Sequence, residues 1–286
     1  MLIAVLLVGV IFIPPVRAAA ESALSIFRVT DTKTITISIG DLQALLDDAI
    51  TLEEPDTAEF EALVQEFMEK AESQVQSLSD AHEFEAFPVK LPDALKDETP
   101  ALYALDAQEQ TVTLDTEKIN GTLTRLGASA LVDSSWSGTA VTIKTPPVFF
   151  ADYGDVALAI TENIFVDAPD AVLSNLKSAF LSLPAIPENL RAQLSPIDPK
   201  THDIYLPVVE GLGRETDLGG TTGYIYSTAD LADVLGMLPD FADRTHLSEL
   251  QDENASVLVW AKNGALYVLA GQLSDSELSQ IARSVR

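Results

Sequence analysis

Two pairs of carboxylates, Asp152 with Asp155 and Glu215 with Asp217, have the close spacing at which one group can act as acid and the other as base. Asp and Glu number 44 in 286 residues, so such pairs recur along the chain and neither marks a site. The three histidines, His82, His202 and His246, lie far apart, and none stands in the HExxH or HxH pattern that sets two imidazoles on one metal. Cysteine is absent, which removes disulfides, thiolate zinc sites, iron–sulfur clusters and a cysteine nucleophile. No GxSxG elbow couples a serine to His and Asp, and no DxDxDG calcium loop is present. The segment GLGRETDLGG at 211–220 contains GxG but neither the dinucleotide fingerprint nor the Lys-Ser/Thr of a phosphate loop, and reads as a flexible turn. Trp136, Trp260, Tyr224 and Tyr226 could line a sugar or lipid cleft, although aromatic residues on strands more often serve core and cross-strand packing. The residues therefore point away from an enzyme, a cofactor or a metal centre, and a secreted hydrolase with dispersed carboxylates is the minor alternative.

Charge and composition narrow the partners. A net charge of -27, from 44 acidic and 17 basic residues, leaves too little positive charge to displace counterions from a phosphate backbone, so nucleic acid is excluded as a partner. The acidity fits a solvated, self-repelling surface, or an acidic face that meets a basic partner. With 47% hydrophobic and 21% charged residues, the chain has the composition of a packed globular protein.

The elements that position these residues begin with residues 2–16, LIAVLLVGVIFIPPV, an uncharged apolar run followed by Arg17 and Ala18-Ala19-Ala20. Its length falls between a signal-peptide core and the ~20 residues of a full membrane span. The small-residue triplet could be a cleavage site, but no Lys or Arg precedes the run, so an uncleaved anchor in a single-pass membrane protein is the favoured reading and secretion after cleavage the alternative. In both, the acidic domain lies outside the cytoplasm. Three segments follow: 1–20 as anchor or signal, 21–100 as a strand, a long amphipathic helix and a linker, and 101–286 as an α+β extracytoplasmic domain.

Within 21–100, RVTDTKTITIS alternates as a half-buried strand, and Asp41 opens a short helix. Phe60, Leu63, Val64, Phe67, Met68, Ala71, Val75 and Leu78 then recur at helical spacing among Glu and Gln. This stripe covers a sheet or, in the functional reading, offers Phe60, Leu63, Val64, Phe67 and Met68 as an adaptable face for a partner or a hydrophobic ligand. Three prolines between 80 and 100 read as an extended linker. Strands are expected near 102–105, 111–114, 139–144, 148–152, 156–161, 204–209 and 223–226. Helices are expected from Asp115 to Leu126, closed by Gly127, from Asp167 as N-cap through Leu183, over 188–194 and over 228–238. The order is not a regular βαβ alternation, and the short connections favour antiparallel pairing. The expected fold is α+β: a largely antiparallel, curved sheet with helices packed on one face, preceded by an N-terminal hydrophobic helix.

The C-terminal end is the clearest local structure. Two strands flank Lys262-Asn263-Gly264, and Asn-Gly supplies the positive φ angles of a type I′ turn. Ser274-Asp275-Ser276-Glu277 is a capping box opening a last helix that buries Leu278, Ile281, Ala282 and Val285. This stretch, VLVWAKNGALYVLAGQLSDSELSQIARSV, with Trp260, Asn263, Gly264, Tyr267, Gly271, Ser274 and Glu277, resembles the C-terminal unit of uncharacterised bacterial domains on the outer side of membrane-anchored anti-sigma factors and related lipoproteins. RAAAESALSIFRV, after the apolar run, is similar to the junction between anchor and exported domain in such proteins, and LSLPAIPENLRAQL resembles their middle portion. The resemblance implies an extracytoplasmic sensory or binding module, with an envelope protein or a hydrophobic ligand as its partner. Those anti-sigma factors hold sigma through a cytoplasmic, often Cys/His segment ahead of the membrane helix, and these residues contain no such segment.

Overall fold

The computed structural model describes residues 28–43, 75–197, 202–230 and 255–285. The apolar run at 2–16, the stripe at Phe60, Leu63, Val64, Phe67 and Met68, and most of the helix expected at 228–238 lie outside them. Among the described residues no helix is long and apolar enough to cross a membrane. The described chain is α+β, with mostly antiparallel sheets and several helices.

Thirteen strands are described: β1 (Arg28–Ile37), β2 (Val75–Leu78), β3 (Ala101–Leu105), β4 (Gln108–Thr113), β5 (Ala140–Thr145), β6 (Val148–Asp152), β7 (Val156–Thr161), β8 (Phe165–Asp167), β9 (His202–Val209), β10 (Arg214–Asp217), β11 (Thr222–Ser227), β12 (Ser256–Lys262) and β13 (Ala265–Gly271). The longer helices are α1 (Thr116–Arg125), α2 (Asp170–Leu181), α3 (Glu188–Leu194) and α4 (Asp275–Arg283).

Eight strands make one antiparallel sheet in the order β10-β11-β12-β13-β7-β6-β3-β2. Its central strands are nearly continuous apolar runs because both faces are buried. On one face Phe149, Leu158, Ile160, Leu258, Trp260, Tyr267 and Leu269 form the main core with Leu278 and Ile281 of α4 and Val285 just after it. Val148, Ala159, Val257, Val268 and Ala270 form a second cluster from the alternate positions of the same strands. Residues 79–100, expected as a linker, instead fold against the main core. Two short 3₁₀ turns, Ala81–Glu83 and Asp93–Leu95, bring Phe87 and Leu95 into it.

A smaller sheet, β4-β5-β8, packs Val141 and Val166 against Val172 and Leu173 of α2, with Ile119 of α1 alongside. Its third strand overturns one expected detail. Asp167 does not cap α2; it ends β8 opposite Thr142, its carboxylate is 3.7 Å from Lys144 Nζ, and Pro169 takes the N-cap position with no side-chain bond.

β1 and β9 make a two-stranded parallel ribbon, from Arg28 opposite His202, through a register shift before Thr32, to Ile37 opposite Val209. Ile35 and Ile37 pack with Leu183, Ile186, Leu190 and Leu194 around α3, while Leu206 meets Ala261 of the large sheet. Val75 and Leu78, expected on the long helix, lie in β2 at the edge of the large sheet, where Val75 pairs with Leu105 and Leu78 with Leu102. Cross-strand pairing with β3 overrides the helical spacing at these positions.

Candidate functional site

The C-terminal motif residues come together in the β12–β13–α4 unit. Trp260 and Tyr267 are directly opposite on the two strands, their rings stacked with centroids 5.0 Å apart and planes 11° apart. Both are buried, and burial pushes the Tyr267 hydroxyl above its ordinary value. Asn263 (φ 51°) and Gly264 (φ 82°) form the turn, as the Asn-Gly pair requires. Gly271 serves a close approach instead: a Cβ there would lie 2.7 Å from the Asp155 carbonyl oxygen, where β13 passes the start of β7.

The capping box forms as expected. Glu277 N–H donates to Ser274 Oγ (3.4 Å), and Ser274 N–H and Oγ–H both donate to Glu277 Oε2 (2.9 and 2.6 Å). The Ser274 hydroxyl and amide hold the Glu277 carboxyl below its usual range. All seven motif residues thus build the hairpin, its register and the entry to α4.

Beside this unit the structure places a cleft of about 370 Å³ between β10 and α4, lined by Arg214, Thr216, Ile225, Asp275, Ser279 and Arg283 among others. Arg214 spans it as a fork, donating from Nε to Asp275 Oδ2 (2.6 Å) and from Nη2 to Asp275 Oδ1 (2.9 Å). These bonds hold the Asp275 carboxyl below, and the Arg214 guanidinium above, their ordinary values. Deeper in, the Thr216 and Ser279 hydroxyls lie 3.0 Å apart. At the far end Arg283 donates from Nε (3.0 Å) and Nη2 (2.6 Å) to the Asp217 carbonyl oxygen. The Asp217 carboxylate turns the other way, accepting from Gly219 and Gly220 N–H, and these bonds hold it below its usual range.

Magnitudes decide what this cleft does. The fork is half exposed, and an exposed ion pair contributes about 0–1 kcal/mol. Burying one Leu or Ile side chain contributes about 1.5–3 kcal/mol, and α4 buries Leu278 and Ile281. The core therefore holds α4 to the sheet, while the fork and the Arg283 bonds fix its position against β10. Chemically the cleft is a clasp whose serine and threonine hydroxyls bond each other rather than a base.

Of the carboxylate pairs read from the sequence, Glu215 and Asp217 are exposed on β10, and Asp152 and Asp155 flank the tight turn between β6 and β7. Among the described residues no group of three His, Asp or Glu side chains is placed to hold a metal ion. The cleft has no sequence motif: Arg214 sits in the segment read as a flexible Gly-rich turn, 61 residues from Asp275. Arg214–Asp217 lacks the aromatic residues and the apolar alternation by which a strand is read, so no local signal marks it. No protein-family model, curated protein or solved structure matches the chain.

Proposed function

We propose that this protein is a membrane-anchored extracytoplasmic binding domain, anti-sigma-factor-like, with a regulatory or protein-interaction role in the bacterial envelope. Residues 2–16 are its anchor, and residues 101–286 are displayed outside the cytoplasm. In finer detail the large sheet is curved and carries its helical cover on one side.

One observation carries the proposal. The residues behind the resemblance, Trp260, Asn263, Gly264, Tyr267, Gly271, Ser274 and Glu277, form one contiguous structural unit, with β12 and β13 inside the large sheet and α4 against its core. That the residues carrying the resemblance fold into one unit supports the reading of the fold, and the regulatory role comes by analogy. A reporter active only outside the cytoplasm, fused after Arg286, is expected to be active. A fusion active only as a cytoplasmic reporter overturns the proposal.

A second reading is a carrier of a hydrophobic ligand, for which the sequence offers the adaptable apolar stripe of Phe60, Leu63, Val64, Phe67 and Met68. Organic extraction of the purified protein followed by mass spectrometry separates the two: a carrier releases acyl chains, and a protein-interaction module does not.

A further inference from the structure

Most strand edges among the described residues are guarded. The outer edge of β1 is met by a glutamine side chain at Thr36, and Arg283 caps the outward Asp217 carbonyl of β10, three of whose four residues are charged. β2 has four residues and β8 three. β4 is different. It runs six residues, Gln-Glu-Gln-Thr-Val-Thr, with one charge and no proline, and is exposed from Glu109 to Thr113. An edge of this kind is a template for another strand.

The hydrogen-bond parity of β4 identifies its outward groups. Leu114 N–H donates to Thr139 O at 2.9 Å in continuation of the β4–β5 register, so the even-numbered residues of β4 bond to β5. The N–H and C=O groups of Glu109, Thr111 and Thr113 point away from the sheet. We infer that this edge is a self-association surface, where β4 pairs antiparallel with β4 of a second copy about a two-fold axis at Thr111 and joins the two small sheets into one. This inference is independent of the function proposed above.

The sequence of β4 is self-complementary in that register. Thr111 faces Thr111 of the second copy, extending the contact its hydroxyl already makes with Thr142 at 2.9 Å. Glu109 faces Thr113 of the second copy, so no carboxylates oppose each other, and Glu109 already lies in register with Lys144. Val112, 38% exposed, gains cover from Gln110 of the second copy. The same operation on β10 would set Glu215 against Asp217, a like-charge pair that opposes assembly. A closed two-fold pairing also consumes the open edge and so ends growth at the dimer.

The chain has no cysteine, so Thr111→Cys places a single thiol at the proposed axis of the full-length protein. Hydrogen-bonded antiparallel neighbours have Cα atoms ~5.5 Å apart, inside the ~4.4–6.8 Å span of a disulfide. Oxidation with diamide is expected to give a covalent dimer. Thr111→Cys with Thr113→Glu, which sets a carboxylate against Glu109 in both symmetry-related pairs, is expected to lose it, and Thr111→Cys with Thr113→Lys to keep it. Both positions, and the control Glu215→Cys on β10, are exposed, and circular dichroism verifies folding. The inference is overturned if Thr111→Cys yields no more dimer than Glu215→Cys, or if the yield ignores the charge at position 113.

Discussion

Gln193 makes with Thr36 both hydrogen bonds of a β-ladder rung. Thr36 N–H donates to Gln193 Oε1 and Gln193 Nε2 donates to Thr36 O, each at 2.9 Å. The carboxamide, carried on α3, stands where a neighbouring strand would stand and closes the outer edge of β1. A parallel ribbon of two strands has few ladder bonds of its own, so this side-chain rung and the apolar contacts of Ile35 and Ile37 hold β1 in place.

Gln193→Ala is therefore expected to destabilise the fold by about 1–3 kcal/mol, from two bonds at about 0.5–1.5 kcal/mol each. Gln193→Glu keeps the acceptor for Thr36 N–H but loses the donor for Thr36 O, and is expected to fall between wild type and Ala. Urea unfolding midpoints give the order, and hydrogen exchange at the Thr36 amide is expected to accelerate in Gln193→Ala.

The Arg214–Asp275 fork gives a small, pH-dependent contribution with a definite sign. The Asp275 carboxyl is held below its ordinary value of 3.8, mainly by the Arg214 hydrogen bonds. A carboxyl with a depressed folded pKa contributes stability above the unfolded value and loses it as pH falls through the folded value. Arg214→Ala is expected to cost at most about 1 kcal/mol at pH 7, since the pair is half exposed. At a pH well below 3.8 the cost should vanish. A double-mutant cycle with Asp275→Ala, read by unfolding at both pH values, checks the coupling.

What the sequence made legible was local. Asn263-Gly264 and Ser274 with Glu277 carry their geometry in adjacent residues, and the hairpin and α4 stand where that chemistry puts them. β-prone runs bounded by turn residues likewise located β5, β6, β7 and β11. What depended on distant partners was not legible. β1 and β9 are separated by most of the chain, and nothing local tells a strand that its neighbour will run parallel. Asp167 before Pro169 has the chemistry of a helix cap, but pairing with β5 takes it into β8. Glycines on both sides of Arg214–Asp217 hid a strand, and with it the cleft that the strand makes with α4.

Two glycines are expected to respond to alanine in opposite directions. At Gly271 the new Cβ would meet the Asp155 carbonyl oxygen at 2.7 Å, a backbone atom that can move only with β7. The cost of such overpacking is about 1–3 kcal/mol. At Gly121, exposed within α1, nothing lies within 4 Å of the added Cβ and φ is not positive. Gly121→Ala is expected to stabilise by about 0.5–1 kcal/mol through helix propensity. Thermal unfolding of the two variants against wild type reads both signs.

At high pH the tyrosines set the limit. Burial, with Glu98 nearby, pushes Tyr153 up to about 12, and burial, with Tyr224 and Asp230 nearby, pushes Tyr226 up to about 12. An acid whose folded pKa is raised favours the folded state fully below its unfolded value near 10, and that stability is lost as pH rises through 12. Spectrophotometric titration should show at least two phenols ionising late, and stability should decline from about pH 10 upward. Tyr153→Phe and Tyr226→Phe keep the rings and remove the ionising hydroxyls, so each should flatten part of that decline while changing stability little at pH 7. An alkaline decline of unchanged slope in both variants would assign it to other groups, with Tyr267, also raised by burial, the next to test.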